Sequence, residues 1–100
     1  MKKLPYRISK KAVIDLEEIW LYTVEKWSMA QADRYYSLIF DEIDHICENP
    51  TSGKAMDHIR DGYRASKVKS HLIFYRVIND IIGIIRILHE RMDIDSRLVD

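Results

Sequence analysis

Hydrophobic and polar positions change their period twice along this chain. Leu4, Tyr6 and Ile8 alternate with Pro5 and Arg7, the two-residue period of a short strand, and a proline near its start suits a sheet edge. Ser9 then offers an N-cap. After it Ala12, Leu16, Ile19, Trp20, Thr23 and Trp27 recur at offsets 0, 4, 7, 8, 11 and 15, one face of a helix, with Asp15, Glu18, Tyr22 and Glu25 on the other. Ser28 and Gln31 form an S-x-x-Q capping box for a second helix. Its apolar stripe is Met29, Ala32, Tyr36, Ile39, Phe40, Ile43, Ile46 and Cys47, opposed by Arg34, Ser37, Asp41, Asp44 and Glu48, and Asn49-Pro50 stops it. So short a connection makes the two helices an antiparallel hairpin.

Residues 50–62 are polar, contain Gly53 and Gly62, and read as a loop. The strand period follows in Tyr63 to Val68, His71 to Ile78 and Ile81 to Leu88, joined by the two-residue connections Lys69-Ser70 and Asn79-Asp80. The last two strands are apolar on both faces, as central strands covered by helices on one side are. The expected fold is α+β, in the order β-α-α-β-β-β, with a helical hairpin on one face of a small four-stranded antiparallel sheet. The opposite face must also be partly apolar, and on a chain this small it is an expected partner surface.

At 100 residues, 47% hydrophobic and 32% charged, with three glycines and two prolines, the chain is expected to form a single domain over 1–100 without disordered or repetitive segments. One cysteine, Cys47, excludes an internal disulfide framework and a cysteine-rich zinc site, and its place on an apolar stripe makes it core. No apolar run approaches the ~20 residues of a membrane helix. The basic start is not followed by the apolar core of a signal peptide, so a cytoplasmic, reducing setting is expected.

Charge changes the picture more than composition does. The net charge is zero, yet residues 1–11 hold five basic residues and no acid, residues 12–51 balance at −7, and residues 54–91 at +4. The acidic middle argues against a protein that coats nucleic acid, and no sequence-specific nucleic-acid binding by the chain alone is expected. The basic C-terminal half fits a phosphate or acidic partner, or simply solvated strand faces.

No glycine-rich phosphate loop, H-E-x-x-H, C-x-x-C or G-x-S-x-G occurs, and the four histidines are scattered without a helical i, i+4 pair, so neither cofactor nor metal is expected. The candidate chemistry lies near the C-terminus. Arg86, His89 and Arg91 sit at the end of the last strand, and Arg64, His71 and Arg76 lie on its neighbours. Histidine and arginine are the types that would move protons and hold a pentavalent phosphate in RNA cleavage. The competing reading of Arg86 is a structural pair with Glu90 or Asp93. Tyr22, Tyr35 and Leu38 lie off the main stripes, as flanking core or as a partner-facing patch.

These residues carry a resemblance that spans nearly the whole chain. Ala12-x-x-Asp15-Leu16-x-x-Ile19, Trp27-Ser28-x-x-Gln31-Ala32, Asn49-Pro50-x-x-Gly53, Ile59-Arg60-x-Gly62-Tyr63-Arg64, Ser70-His71-x-Ile73-Phe74-Tyr75-Arg76 and Arg86-Ile87-Leu88-His89-x-Arg91-Met92-Asp93 follow one another at defined spacing. In this order the chain resembles ParE-type toxins of bacterial toxin–antitoxin modules, within the ParE/RelE superfamily. The resemblance implies the fold already derived. It also implies a toxin without enzymatic activity that poisons DNA gyrase and is neutralised by a ParD-like antitoxin in a hetero-oligomer. Arg64, Arg76, Arg86, His89 and Arg91 are then target-binding candidates, and Tyr22, Tyr35 and Leu38 antitoxin-binding candidates. The alternative is the RelE branch, ribosome-dependent mRNA cleavage on the same scaffold, with Arg64, Arg86 and His89 as its catalytic residues.

Overall fold

The computed structural model describes residues 3–98 and orders them as β1 (Tyr6–Ile8), α1 (Lys10–Lys26), α2 (Met29–Glu48), β2 (Lys54–Ala55), β3 (Arg64–Val68), β4 (His71–Ile78), β5 (Ile81–His89) and α3 (Ile94–Arg97). Both long helices begin where the sequence places them. Ser9 Oγ accepts the Ala12 N–H and Ser28 Oγ accepts the Gln31 N–H, each satisfying an amide that the first helical turn leaves without a partner. Lys69, Asn79 and Asp80 all take positive φ, at 54°, 51° and 59°. These are the left-handed conformations that tight two-residue hairpins need.

The sheet differs from the expected one in three ways. It has five strands in the order β1-β5-β4-β3-β2, because Lys54 and Ala55 inside the supposed loop pair with Ala65 and Arg64. β1 runs parallel to β5, from Tyr6↔Ile82 to Ile8↔Ile84, so the sheet is mixed. The crossover through two helices returns the chain to the same end of the sheet, and only a long connection permits that. The third difference is a bulge. Phe74 pairs with Arg86 and Tyr75 with Ile84, which leaves Ile85 as the extra residue of β5. Ile84 and Ile87 consequently both face the helices, although three positions apart, and Ile85 and Leu88 both face away.

Two apolar cores result. Ala12, Leu16, Ile39, Ile43, Ile46 and Cys47 of the hairpin pack on Ile73, Tyr75, Ile82, Ile84 and Ile87 of the sheet. The opposite face is not left to a partner along its whole length. Phe74, Ala65 and Leu88 are covered by Ile94 and Leu98 from the C-terminal segment and by Met56 and Ile59 from the loop before Tyr63. Two stripe residues fall outside the core. Trp27 and Met29 are 72% and 65% exposed, because the chain leaves helical geometry at Trp27 to turn between the helices. Trp20 is half-buried instead, edge-on to Tyr36 at 5.5 Å, and Tyr36 in turn meets Phe40 at 5.6 Å.

Candidate functional site

Residues of α1, α2, the β3–β4 turn and the end of β5 enclose a cleft of about 900 Å³. Ile19, Tyr22, Trp27, Tyr35, Leu38, Ile87 and Met92 supply its apolar lining, Arg34, Lys69 and Arg91 give it a cationic rim, and His71 and His89 lie at its sheet end. Arg34, Lys69 and Arg91 are exposed and have no ion pair among the described residues.

His71 and His89 are cross-strand partners on β4 and β5, with ring centroids 5.2 Å apart. Tyr35 reaches from α2 to place its hydroxyl 2.6 Å from His71 Nδ1 and 3.0 Å from the Val68 carbonyl. A phenol has one proton. Donating it to the Val68 carbonyl leaves the oxygen to accept from His71 Nδ1–H. Burial, with the neighbouring His89 second, lowers the His71 pKa to about 4, so the ring is neutral near pH 7. Burial raises the Tyr35 hydroxyl, which stays protonated. His89 Nδ1 accepts the backbone N–H of Arg91, which turns the chain out of β5.

The floor of the cleft is set by a residue that the helical wheel places on the solvent side. Asp15 is 9% exposed. Its carboxylate accepts from Arg86 Nε at 2.8 Å, from Arg86 Nη2 at 2.9 Å and from the Ile87 amide at 3.0 Å. β1 pairs with β5 only as far as Ile84, and beyond it α1 lies along the open edge of β5. Ser9 Oγ donates to the Ile85 carbonyl, and Asp15 takes the next free edge amide. The signal was present in the spacing: Asp15 is three residues after Ala12 and four before Ile19, on the border of the apolar stripe.

The target-binding candidates are therefore dispersed. Arg86 pairs with Asp15, not with Glu90 or Asp93, and also donates to the Arg97 carbonyl. Arg64 donates to the carbonyls of Thr51 and Gly53 and holds that loop. Arg76 lies over the Tyr63 ring at 5.7 Å, on the face away from the helices. His89 and Arg91 line the cleft, where they meet Tyr22, Tyr35 and Leu38. Trp27, Arg34 and Lys69 belong to the same cleft, although the sequence pattern placed them on the α1 stripe, on the polar face of α2 and in a turn, none as a site residue. Among the described residues, no group of three or more His, Cys, Asp and Glu side chains is placed to hold a metal, and no helix is long and apolar enough to cross a membrane.

Comparison with known proteins places this arrangement. The family described as ParE toxin of the type II toxin–antitoxin system parDE matches residues 6–94. The chain belongs to the ParE toxin family. Among ParE relatives, Toxin ParE1 of Mycobacterium tuberculosis is 43% identical over 94 residues, spanning 93% of this chain and 96% of the relative. Toxin ParE1 of Caulobacter vibrioides is 38% identical over 94 residues, 94% of this chain and 97% of the relative. In fold, the chain is similar to one from the chromosomal ParDE system of P. aeruginosa, with a TM-score of 0.74 at 20% identity, covering 87% of this chain and 96% of that one. It is similar at a TM-score of 0.57 and 17% identity to a chain of the RelBE2 toxin–antitoxin complex of Mycobacterium tuberculosis, covering 88% of this chain and 99% of that one. Chains from both toxin–antitoxin structures thus share this scaffold, and a shared fold does not by itself fix an activity.

Proposed function

We propose that this ParE toxin acts in the cytoplasm by binding, and that its target is DNA gyrase, which it holds with cleaved DNA until replication stalls. The observation that carries the choice is the fate of the three residues a nuclease would use. Arg86 is held by Asp15 and Arg64 by two backbone carbonyls, so neither guanidinium is free to follow charge developing on a phosphate. Arg64 pairs with Tyr75 and His89 with His71. Four positions along β4 separate those rows, roughly 13 Å at strand rise. Three groups so placed do not converge on one scissile bond.

A ParD-like antitoxin is the partner of the cleft. An apolar trough with three free cations on its rim suits an amphipathic segment that sets aliphatic side chains against Tyr22, Trp27 and Leu38 and acids toward Lys69 and Arg91. A segment that orders on binding would bury this surface. The deciding experiment runs the purified chain in two assays at once. Gyrase supercoiling should be inhibited with accumulation of cleaved DNA, and a translating extract should keep its messages intact. Cut message with unaffected gyrase reverses the assignment.

A further inference from the structure

The face of the sheet away from the helices holds a second surface, remote from the cleft. Arg7 of β1 pairs with Gly83 of β5, and Gly83 pairs with Arg76 of β4, so the three residues form one row across three strands. Their neighbours fix the direction of the row. Tyr6 and Ile8 pair with Ile82 and Ile84, which pack on the helices, and Arg76 lies over Tyr63 in the opposite core. Both arginines are exposed and neither has an ion pair among the described residues. The Tyr63 ring fixes one of them in place.

Gly83 sits between them without a local need to be glycine. Its φ is not in the left-handed region, and a Cβ built there meets nothing nearer than the Arg76 carbonyl at 3.7 Å and Ile85 Cδ1 at 3.8 Å. Glycine weakens a strand interior and often marks a close approach by another group. Here it leaves a slot whose two walls are guanidinium-bearing side chains, about 10 Å apart across two strand spacings. The next row is apolar, formed by Ile78, which is 46% exposed, and its half-buried pair Ile81.

We infer that the Arg7–Gly83–Arg76 slot is where the toxin engages an acidic segment of its protein target, with a carboxylate laid over Gly83 between the two guanidiniums and an apolar neighbour on Ile78 and Ile81. This rests on the reading of the chain as a toxin that acts by binding. Arginine pairs with carboxylates in a planar, two-bonded geometry and is enriched at the centres of protein interfaces beside apolar residues. A nucleic-acid backbone is the less suited occupant. Two cations next to an apolar row, with Asp80 in the adjoining turn, fall short of the broad basic surface that a run of phosphates requires.

The test uses the full chain expressed in bacteria, with growth arrest as the readout and melting temperature as the control. Gly83→Val fills the slot with a strand-favouring side chain, and Arg7→Gln with Arg76→Gln removes its charge. Both forms should melt within about 4 °C of the wild type, and both should need at least ~10-fold more toxin for equal arrest. If Gly83→Val misfolds, the exposed arginine pair decides alone. Arrest at wild-type dose in a folded slot variant overturns the inference. So does binding of a random-sequence DNA duplex by the wild type that the slot variants lose. Gyrase supercoiling is measured separately. If the wild type leaves gyrase untouched while the slot variants still lose arrest, the choice of gyrase is wrong and the slot stands.

Discussion

Single side chains in this protein differ most in what their removal leaves behind. Asp15 joins α1 to the edge of β5 through three hydrogen bonds, two of them from Arg86. Asp15→Ala would strand a guanidinium that is 13% exposed and is predicted to cost about 3–5 kcal/mol in denaturant unfolding, the range for breaking a buried pair. Gly53 is held as tightly. Its amide donates to Tyr75 Oη, which donates to the Pro50 carbonyl, and a Cβ on Gly53 would lie 2.5 Å from that oxygen. Gly53→Ala should lose about 1–3 kcal/mol by overpacking. Tyr75→Phe should lose about 1–2 kcal/mol for the two bonds. His71 gives the pH dependence. Its pKa falls from 6.5 to about 4 on folding, so between those values the unfolded chain binds more protons and stability drops as the pH falls. Above pH 6.5 this contribution is complete. Because the ring is part-exposed, its size is about 1–2 kcal/mol after discounting for solvent. Unfolding midpoints at pH 7.5 and 4.5, compared between wild type and His71→Gln, should show the larger loss in the wild type.

Elements owe their boundaries to local chemistry and their orientation to distant contacts. Ser9 and Ser28 start the helices and Asn49 with Pro50 ends the second, all within one turn of the residues they serve. The β4–β5 turn places both Asn79 and Asp80 at positive φ, where only the asparagine is well suited. Asp80→Gly should therefore raise stability by about 0.4–1 kcal/mol in thermal unfolding, and a β-branched residue there should lower it. β1 is held parallel to β5 by three register pairs and extended by the Ser9 amide on the Ile84 carbonyl. Nothing within Tyr6–Ile8 encodes that direction, since a three-residue apolar alternation reads the same either way.

At the scale of the whole molecule, the helical hairpin has an inner side that holds the fold together and a tip that faces outward. Trp20 and Trp27 show the contrast. Trp20→Ala removes a ring set edge-on to Tyr36 and should cost about 3 kcal/mol, the low end for a tryptophan because the ring is only half-buried. Trp27→Ala should change stability by no more than about 0.5 kcal/mol, yet weaken antitoxin binding by ~10-fold or more, since a large exposed aromatic ring on a cleft wall is the usual anchor of an interface. Calorimetric unfolding and titration with the cognate antitoxin separate the two effects. The cleft and the Arg7–Gly83–Arg76 row lie on opposite sides of the sheet, so inhibitor and target could each be reached without the other's residues.

What the sequence alone determined was everything that repeats at short range. The periods of 3.6 and 2 placed both long helices and the β3, β4 and β5 strands, the capping serines fixed where the helices begin, and the ordered motifs fixed the family. A helix face, a cap and a tight turn are decided by residues within four positions of one another. The tertiary structure decided what depends on residues far apart in the chain. It inserted Ile85 as a bulge, brought Asp15 to Arg86 across 71 positions, closed the second apolar face with Leu98 and the loop before Tyr63, and gathered Tyr35, His71 and His89 at one end of a cleft. A local pattern shows that a side chain is charged or apolar. Only the packed chain settles which of its distant neighbours satisfies it, and that choice turned four expected target-binding arginines into two structural ones, Arg64 and Arg86, and two without an ion pair among the described residues, Arg76 and Arg91.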